Sequence, residues 1–283
     1  MWQVSLFPMP QNLVFVLTPT ATPDADRNIT LTNKERNLSP AMVSGTTPLI
    51  IQPNQGVAQG TKITIPLPDD FHHHCRDGLK TAAILKHATE RFGRCLFMPN
   101  IQPPVTTTEK AVAYKKHIMD SLPEGSTLEP IMVLYLTDKT TAEEIYQAHA
   151  AGVAGVKYYP AGATTNSEHG VSDIANCYPA LQALSDKGMM LCIHSEVTAV
   201  TIDIFEREPA FIESVIKPLT LKFPKLKMTM EHISTKQAVE YVVNEAPENV
   251  KASITCHHLL YNRNRKWWVC PSQHTSSTRQ QPS

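Results

Sequence analysis

The chain has 283 residues, 42% hydrophobic and 18% charged, which suits one large α/β domain or two small ones around a sizeable core. Its 26 basic and 26 acidic residues cancel to a net charge of zero, so composition gives no support to binding of nucleic acid or of an anionic membrane. No apolar run approaches the ~18 residues of a spanning helix, and Cys75, Cys95, Cys177, Cys192, Cys256 and Cys270 form no C-x-x-C pair, which fits reduced thiols in a cytoplasmic setting.

Residues 1–60 differ from the rest. The segment is punctuated by Pro, Thr, Ser and Asn, and no charge occurs before Asp24. It has neither the basic start of a secretory signal nor the arginines of a transit peptide. The expectation is a poorly ordered extension, with organelle targeting as a minority alternative.

From Lys62 a rhythm sets in. β-rich apolar runs occur at 63–67, 95–98, 131–136, 153–159, 189–194, 227–232 and 250–255. Helix-like stretches separate most of them, at 79–92, 107–120, 141–151, 174–187, 209–223 and 235–244. Strands alternating with helices imply parallel βα units. The expected fold is a (β/α)8 TIM barrel, whose sites lie at the carboxyl ends of the strands. An open doubly wound sheet is the alternative, but no glycine-rich phosphate loop follows the first run.

The residues that end these runs are unusual. After the first comes Asp69-Asp70-Phe71-His72-His73-His74-Cys75-Arg76. Side chains alternate along an extended chain, so His72 and His74 share a face and His73 takes the other. Two imidazoles on one face can hold a divalent transition metal. The second run ends at Asn100, the fourth carries Lys157, the fifth ends on His194 and the sixth on His232. Histidines ending three strands of one barrel are hard to dismiss as packed or solvated residues.

Together these stretches resemble dihydroorotase of the single-domain bacterial and plant type, in the metal-dependent amidohydrolase superfamily. The motifs are D-D-F-H-H-H-C-R-D-G, F-M-P-N-I-Q-P-P-V-T-T, V-K-Y-Y-P-A-G-A-T-T-N-S-E-H-G-V, L-C-I-H-S-E, D-I-F-E-R-E-P-A-F-I, M-E-H-I-S-T-K and H-H-L-L-Y-N-R-N, in that order between about Thr61 and Arg265. The resemblance implies two zinc ions, one held by His72, His74 and Lys157, the other by Lys157, His194 and His232. Two cations about 3.5–4 Å apart need an anion between them, and the family supplies it as a carbamate on the lysine, here Lys157. Arg76 and Asn100 match the residues that bind the substrate carboxylate, a role suited to a bidentate guanidinium and an amide donor. Thr164 and Thr165 match a loop that closes over substrate, with ordinary turn chemistry as the plainer reading. His73 and Cys75 stand where the family usually has apolar residues; neither is assigned a role. His169, His257 and His258 are read as structural.

The implied reaction is the reversible hydrolysis of (S)-dihydroorotate to N-carbamoyl-L-aspartate in pyrimidine biosynthesis, on a small-molecule substrate, with a homodimer compatible with the family. The family's proton-transferring aspartate ends an eighth strand and has no counterpart in this sequence, so the catalytic residue is unknown. The resemblance stops after Asn264, and Ser272–Ser283 is rich in Ser, Thr and Gln. The expected organisation is an extension over 1–60, a C-terminally truncated barrel domain over 61–265 lacking an eighth strand and closing helices, and a divergent polar tail over 266–283. Two alternatives stay open: a catalytically incompetent product that binds metal or a full-length partner, and another cyclic-amide hydrolase.

Overall fold

Each apolar run after residue 69 is flanked by an amphipathic stretch, and the two pack as strand and covering helix. The computed structural model describes residues 3–6, 8–9, 12–13, 30–32, 64–76, 78–256 and 258, with backbone alone before residue 67 and at Leu79. Seven strands run parallel: β1 (Asp70–His73), β2 (Arg94–Phe97), β3 (Glu129–Tyr135), β4 (Gly155–Tyr158), β5 (Met190–His194), β6 (Lys227–Glu231) and β7 (Val250–Thr255). Each pairs with the next in chain order. A doubly wound sheet reverses its strand order at a switch point; this sheet has no reversal among the described residues. The winding is that of a TIM barrel, with seven parallel strands among the described residues of this sheet.

Helices fill the crossovers: α1 (Leu79–Thr89), α2 (Thr108–Asp120), α3 (Ala142–Ala150), α4 (Tyr178–Lys187), α5 (Arg207–Phe211), α6 (Lys217–Lys222) and α7 (Lys236–Glu240). A π-helical turn, Ile212–Ile216, joins α5 to α6, and another, Tyr241–Glu245, extends α7. The starts of α2, α3 and α7 are fixed by Thr107, Thr141 and Thr235, whose hydroxyls accept from the backbone N–H three residues on. Helix α4 stops at Gly188, whose φ of 64° suits a residue without Cβ.

The strands are apolar on both faces, as parallel strands covered by helices must be. The outward side chains, among them Leu134, Val156, Leu191 and Met228, join the helices in one large core. A smaller cluster of Leu96, Met98, Val133 and Cys192, with Phe71, Ile131 and Met190 against it, fills the other face. Lys157 pairs in register with Tyr135 and Cys192, and so belongs to this inner face.

Two findings differ from the sequence reading. The run 63–67 does form a strand, Thr64–Pro66, but it pairs with Thr30–Thr32 outside the main sheet. The first barrel strand starts instead at Asp70, because Pro66 and Pro68 cannot donate to a ladder. Moreover, Gln3–Leu6 lies antiparallel along β7, from Gln3 opposite Thr255 to Leu6 opposite Ala252, and is the eighth strand of the sheet. Most of residues 1–60, His257 and all of 266–283 lie outside the described residues, so those assignments stay as expectations. Among the described residues Cys75, Cys95, Cys177, Cys192 and Cys256 form no disulfide.

Candidate functional site

Parallel strands in one sheet deliver the residues at their carboxyl ends to a single rim. His72 lies on β1 and His74 just beyond it; Lys157 is on β4, His194 ends β5, and His232 follows β6 directly. The Nε2 atoms of His72 and His74 are 3.1 Å apart. Ring centroids of His72 and His232 lie 5.0 Å apart, and those of His194 and His232 lie 4.9 Å apart. The four imidazoles thus form one chain of contacts around the rim. Lys157 is wholly buried, its Nζ 5.1 Å from the centroid of the Tyr159 ring.

One acidic residue joins the cluster that sequence reasoning missed. Glu231 is buried; its Oε2 lies 3.2 Å from His72 Nδ1 and is hydrogen bonded to Lys157 Nζ. Strict alternation would send neighbouring Glu231 and His232 to opposite faces. His232 escapes alternation with a φ of 47°, held by its N–H donating to Ser253 Oγ at 3.1 Å and by Ile233 N–H donating to Ser253 O at 2.9 Å. The left-handed turn lets both side chains reach the centre. Its only sequence signal is Glu and His side by side at a strand end.

Electrostatics suit a metal. Burial first, then the neighbouring His72, Arg76 and Lys157, lower the His74 pKa to about 2. Burial likewise lowers His194, although Glu196, 2.9 Å from its Nε2, offsets part of this. Burial and the adjoining His194 and Lys157 hold His232 well below the ordinary histidine range. Neutral imidazoles are the ligand form. Burial alone would raise Glu231, but Lys157 and His72 outweigh it and hold its carboxyl at about 2. His72, Glu231 and His232 bring ligand atoms within 4.8 Å of one another. The donor set, neutral nitrogens with one carboxylate, fits a zinc-class cation.

The other expected residues are distributed unevenly. Asn100, buried just after β2, donates from Nδ2 to Thr165 O at 3.1 Å, and its own carbonyl accepts from Asn166 Nδ2 at 2.9 Å. Tyr135 OH donates to Asn166 O at 3.1 Å. Thr164 N–H donates to Ser167 Oγ at 2.9 Å, and Ser167 Oγ donates back to Thr164 O at 2.6 Å. Asn100 and the loop carrying Thr164 and Thr165 are therefore one unit, with Thr165 exposed. Arg76 is exposed beside the histidines, near enough to depress His74, and has a φ of 62°. His258 Nδ1 lies 2.9 Å from Thr255 Oγ1 at the end of β7.

Glu208, on α5, braces the turn after His232. Its carboxylate accepts from Ser234 N–H at 3.1 Å, Thr235 N–H at 2.8 Å and Thr235 Oγ1 at 2.5 Å. Burial pushes this carboxyl up, and the hydrogen bonds from Thr235 and Ser234 offset part of the push.

No family model matches the chain. Among curated proteins it is 55% identical over 204 residues to a dihydroorotase of Cupriavidus necator and 54% identical over 205 residues to one of Methylobacillus flagellatus, in each case 72% of this chain and 59% of the relative. The chain thus spans about three fifths of the length of these relatives. Among solved structures, a Campylobacter jejuni dihydroorotase superimposes with a TM-score of 0.63 at 35% identity, over 69% of this chain and 55% of that one. A Saccharomyces cerevisiae dihydroorotase in complex with 5-fluoroorotic acid gives a TM-score of 0.65 at 30% identity, over 72% of this chain and 59% of that one. An L-hydantoinase from Arthrobacter aurescens, at 16% identity and a TM-score of 0.51, shares the fold alone. Over its matched residues, this chain is similar to the dihydroorotases.

Proposed function

We propose that this chain carries the metal-holding part of a dihydroorotase site, acting in the reversible hydrolysis of (S)-dihydroorotate to N-carbamoyl-L-aspartate. The observation that carries the reading is the convergence of His72, His74, His194 and His232 with the buried Lys157 on one rim. His72, His74 and Lys157 would hold one zinc ion, and Lys157, His194 and His232 a second, with Lys157 as its carbamate. Zinc held there supplies Lewis acidity toward the ring carbonyl and lowers the pKa of water.

The chain's own residues do the rest. For Lys157 to bridge as a carbamate, its Nζ leaves the Glu231 carboxylate with which it is hydrogen bonded. Arg76 and Asn100 would grip the substrate carboxylate, Arg76 from the open side and Asn100 from the buried one. The 5-fluoroorotic acid bound by the yeast relative, a pyrimidine ring bearing a carboxylate, supports that assignment. Thr164 and Thr165 would cover the ring, on a loop tied to Asn100. The same carboxylate grip favours dihydroorotate over cyclic amides without one. The substrate is a small molecule, the site would work in the cytoplasm, and a homodimer is compatible with it.

The test is to purify the chain with zinc and bicarbonate, count bound metal, and follow dihydroorotate turnover by loss of its ultraviolet absorption. The expected result is two zinc ions per chain that are lost in Lys157→Ala and His194→Ala, with turnover dependent on those two. Absence of bound zinc would refute the reading. Zinc bound without turnover would make this chain a metal-binding, non-catalytic product.

A further inference from the structure

The face of β1 opposite His72 and His74 carries a second constellation. Asp70 and Cys95 are register partners across the parallel pair β1–β2, so their side chains leave the sheet on the same side. His73 sits three residues after Asp70 and would leave on the other side in a regular strand. The register shifts between the two, however, and His73 Nδ1 comes to 2.9 Å from Asp70 Oδ2. Such irregularities re-aim side chains, often beside functional sites. Asp70, His73 and Cys95 thereby bring ligand atoms within 4.8 Å of one another.

We propose that Asp70, His73 and Cys95 form a second cation site, for a thiophilic divalent ion of the zinc or cadmium class. Thiolate, imidazole and carboxylate are the donor set such ions select. A Cys thiolate and an Asp carboxylate together neutralise a dication, which allows it to lie where both residues are buried. Zinc–sulfur bonds of ~2.3 Å and zinc–nitrogen bonds of ~2.0 Å put tetrahedral ligand atoms roughly 3.5 Å apart. From separations of up to 4.8 Å, the ligand atoms therefore need to draw together by roughly 1.3 Å at most. His73 Nε2 is buried and has no hydrogen-bond partner among the described residues. For Asp70 to ligate the same ion, His73 binds through Nδ1, the nitrogen already 2.9 Å from Asp70 Oδ2, and the ion takes the place of that hydrogen bond. The His73 side chain keeps 13% exposure, which leaves an edge for a water to complete the shell. This inference stands apart from the proposed activity, because none of His72, His74, Lys157, His194 and His232 offers sulfur.

That difference supplies the test. Cobalt(II) added to the whole chain should give a thiolate-to-cobalt band in the near ultraviolet, because Cys95 alone among the ligands named here is a thiol. The band should survive His194→Ala and vanish in Cys95→Ser and in His73→Leu, with far-ultraviolet circular dichroism unchanged. Leucine at 73 is apolar, as the family usually is there, so His73→Leu decides the matter even if Cys95→Ser misfolds. No near-ultraviolet band, or a band that persists in either variant, overturns the site. Weakening of the visible cobalt bands in His194→Ala, with the near-ultraviolet band kept, would separate the two centres.

Discussion

Replacing Glu208 by alanine tests how the turn after β6 is held. The carboxylate of Glu208 is almost fully buried and takes hydrogen bonds from Ser234 N–H, Thr235 N–H and Thr235 Oγ1. Ser234 is exposed, so water can serve its N–H when the carboxylate is gone. The two Thr235 donors are only partly accessible and would be left short of a partner, at about 1–3 kcal/mol for each unsatisfied group. Thr235 also caps α7 through its hydroxyl, 3.2 Å from Ala238 N, and a loosened cap costs about 1 kcal/mol. Because both Thr235 donors keep some access to water, the expected loss is at the lower end of that sum, about 3 kcal/mol. In urea unfolding followed by circular dichroism, a slope of roughly 1–3 kcal/mol per molar makes this a midpoint shift of about 1–3 M. Glu208→Gln keeps one acceptor oxygen and should lose about half as much. A shift below ~0.5 kcal/mol in Glu208→Ala, in the range of ordinary surface changes, would refute the account.

Other perturbations probe other parts of the fold. Gly155→Ala should abolish soluble folding or lower the melting temperature sharply, because the new Cβ would lie 2.0 Å from Met190 O, a backbone atom of the neighbouring strand. Asp138 is partly buried, which alone would raise its carboxyl, but hydrogen bonds from Ser172 and its neighbours outweigh this and lower it. Its contribution to stability is therefore present above the ordinary aspartate pKa of about 3.9 and lost as pH falls through the lower folded value. Wild type should exceed Asp138→Asn in melting temperature at neutral pH, and the gap should close in acid; a gap independent of pH would contradict the assignment. Removing zinc with a chelator should lower the melting temperature and restoring it should reverse the change, since a ligand at 100 times its Kd stabilises by about 2.7 kcal/mol; scanning calorimetry reads both.

Much of this architecture is legible in the sequence because its signals are periodic or positional. The alternation of β-rich runs with amphipathic stretches marks six of the seven parallel strands to within a few residues, and the stretches beginning at 107, 141 and 235 mark three helix starts. Four histidines and Lys157 were readable because each stands at a strand end, where a barrel gathers its chemistry. The first barrel strand lies beyond the apolar run 63–67, although 70–73 is less apolar, because prolines, not hydrophobicity, decide where the ladder begins.

What escaped the sequence is what breaks the period of two. Glu231 enters the centre because His232 adopts a left-handed backbone, and Asp70 meets His73 because β1 slips register. In a regular strand the first pair would point apart and so would the second. Both departures sit beside the histidines that would hold metal, where a backbone outlier is best explained by the geometry it delivers. The same departure that hides a residue from periodic reading also brings it to the site. Where a strand end carries adjacent polar residues, as in Glu231-His232 and His72-His73, the useful question is therefore which residue the backbone re-aims, and a carboxylate or imidazole pointing against alternation is the first candidate for function.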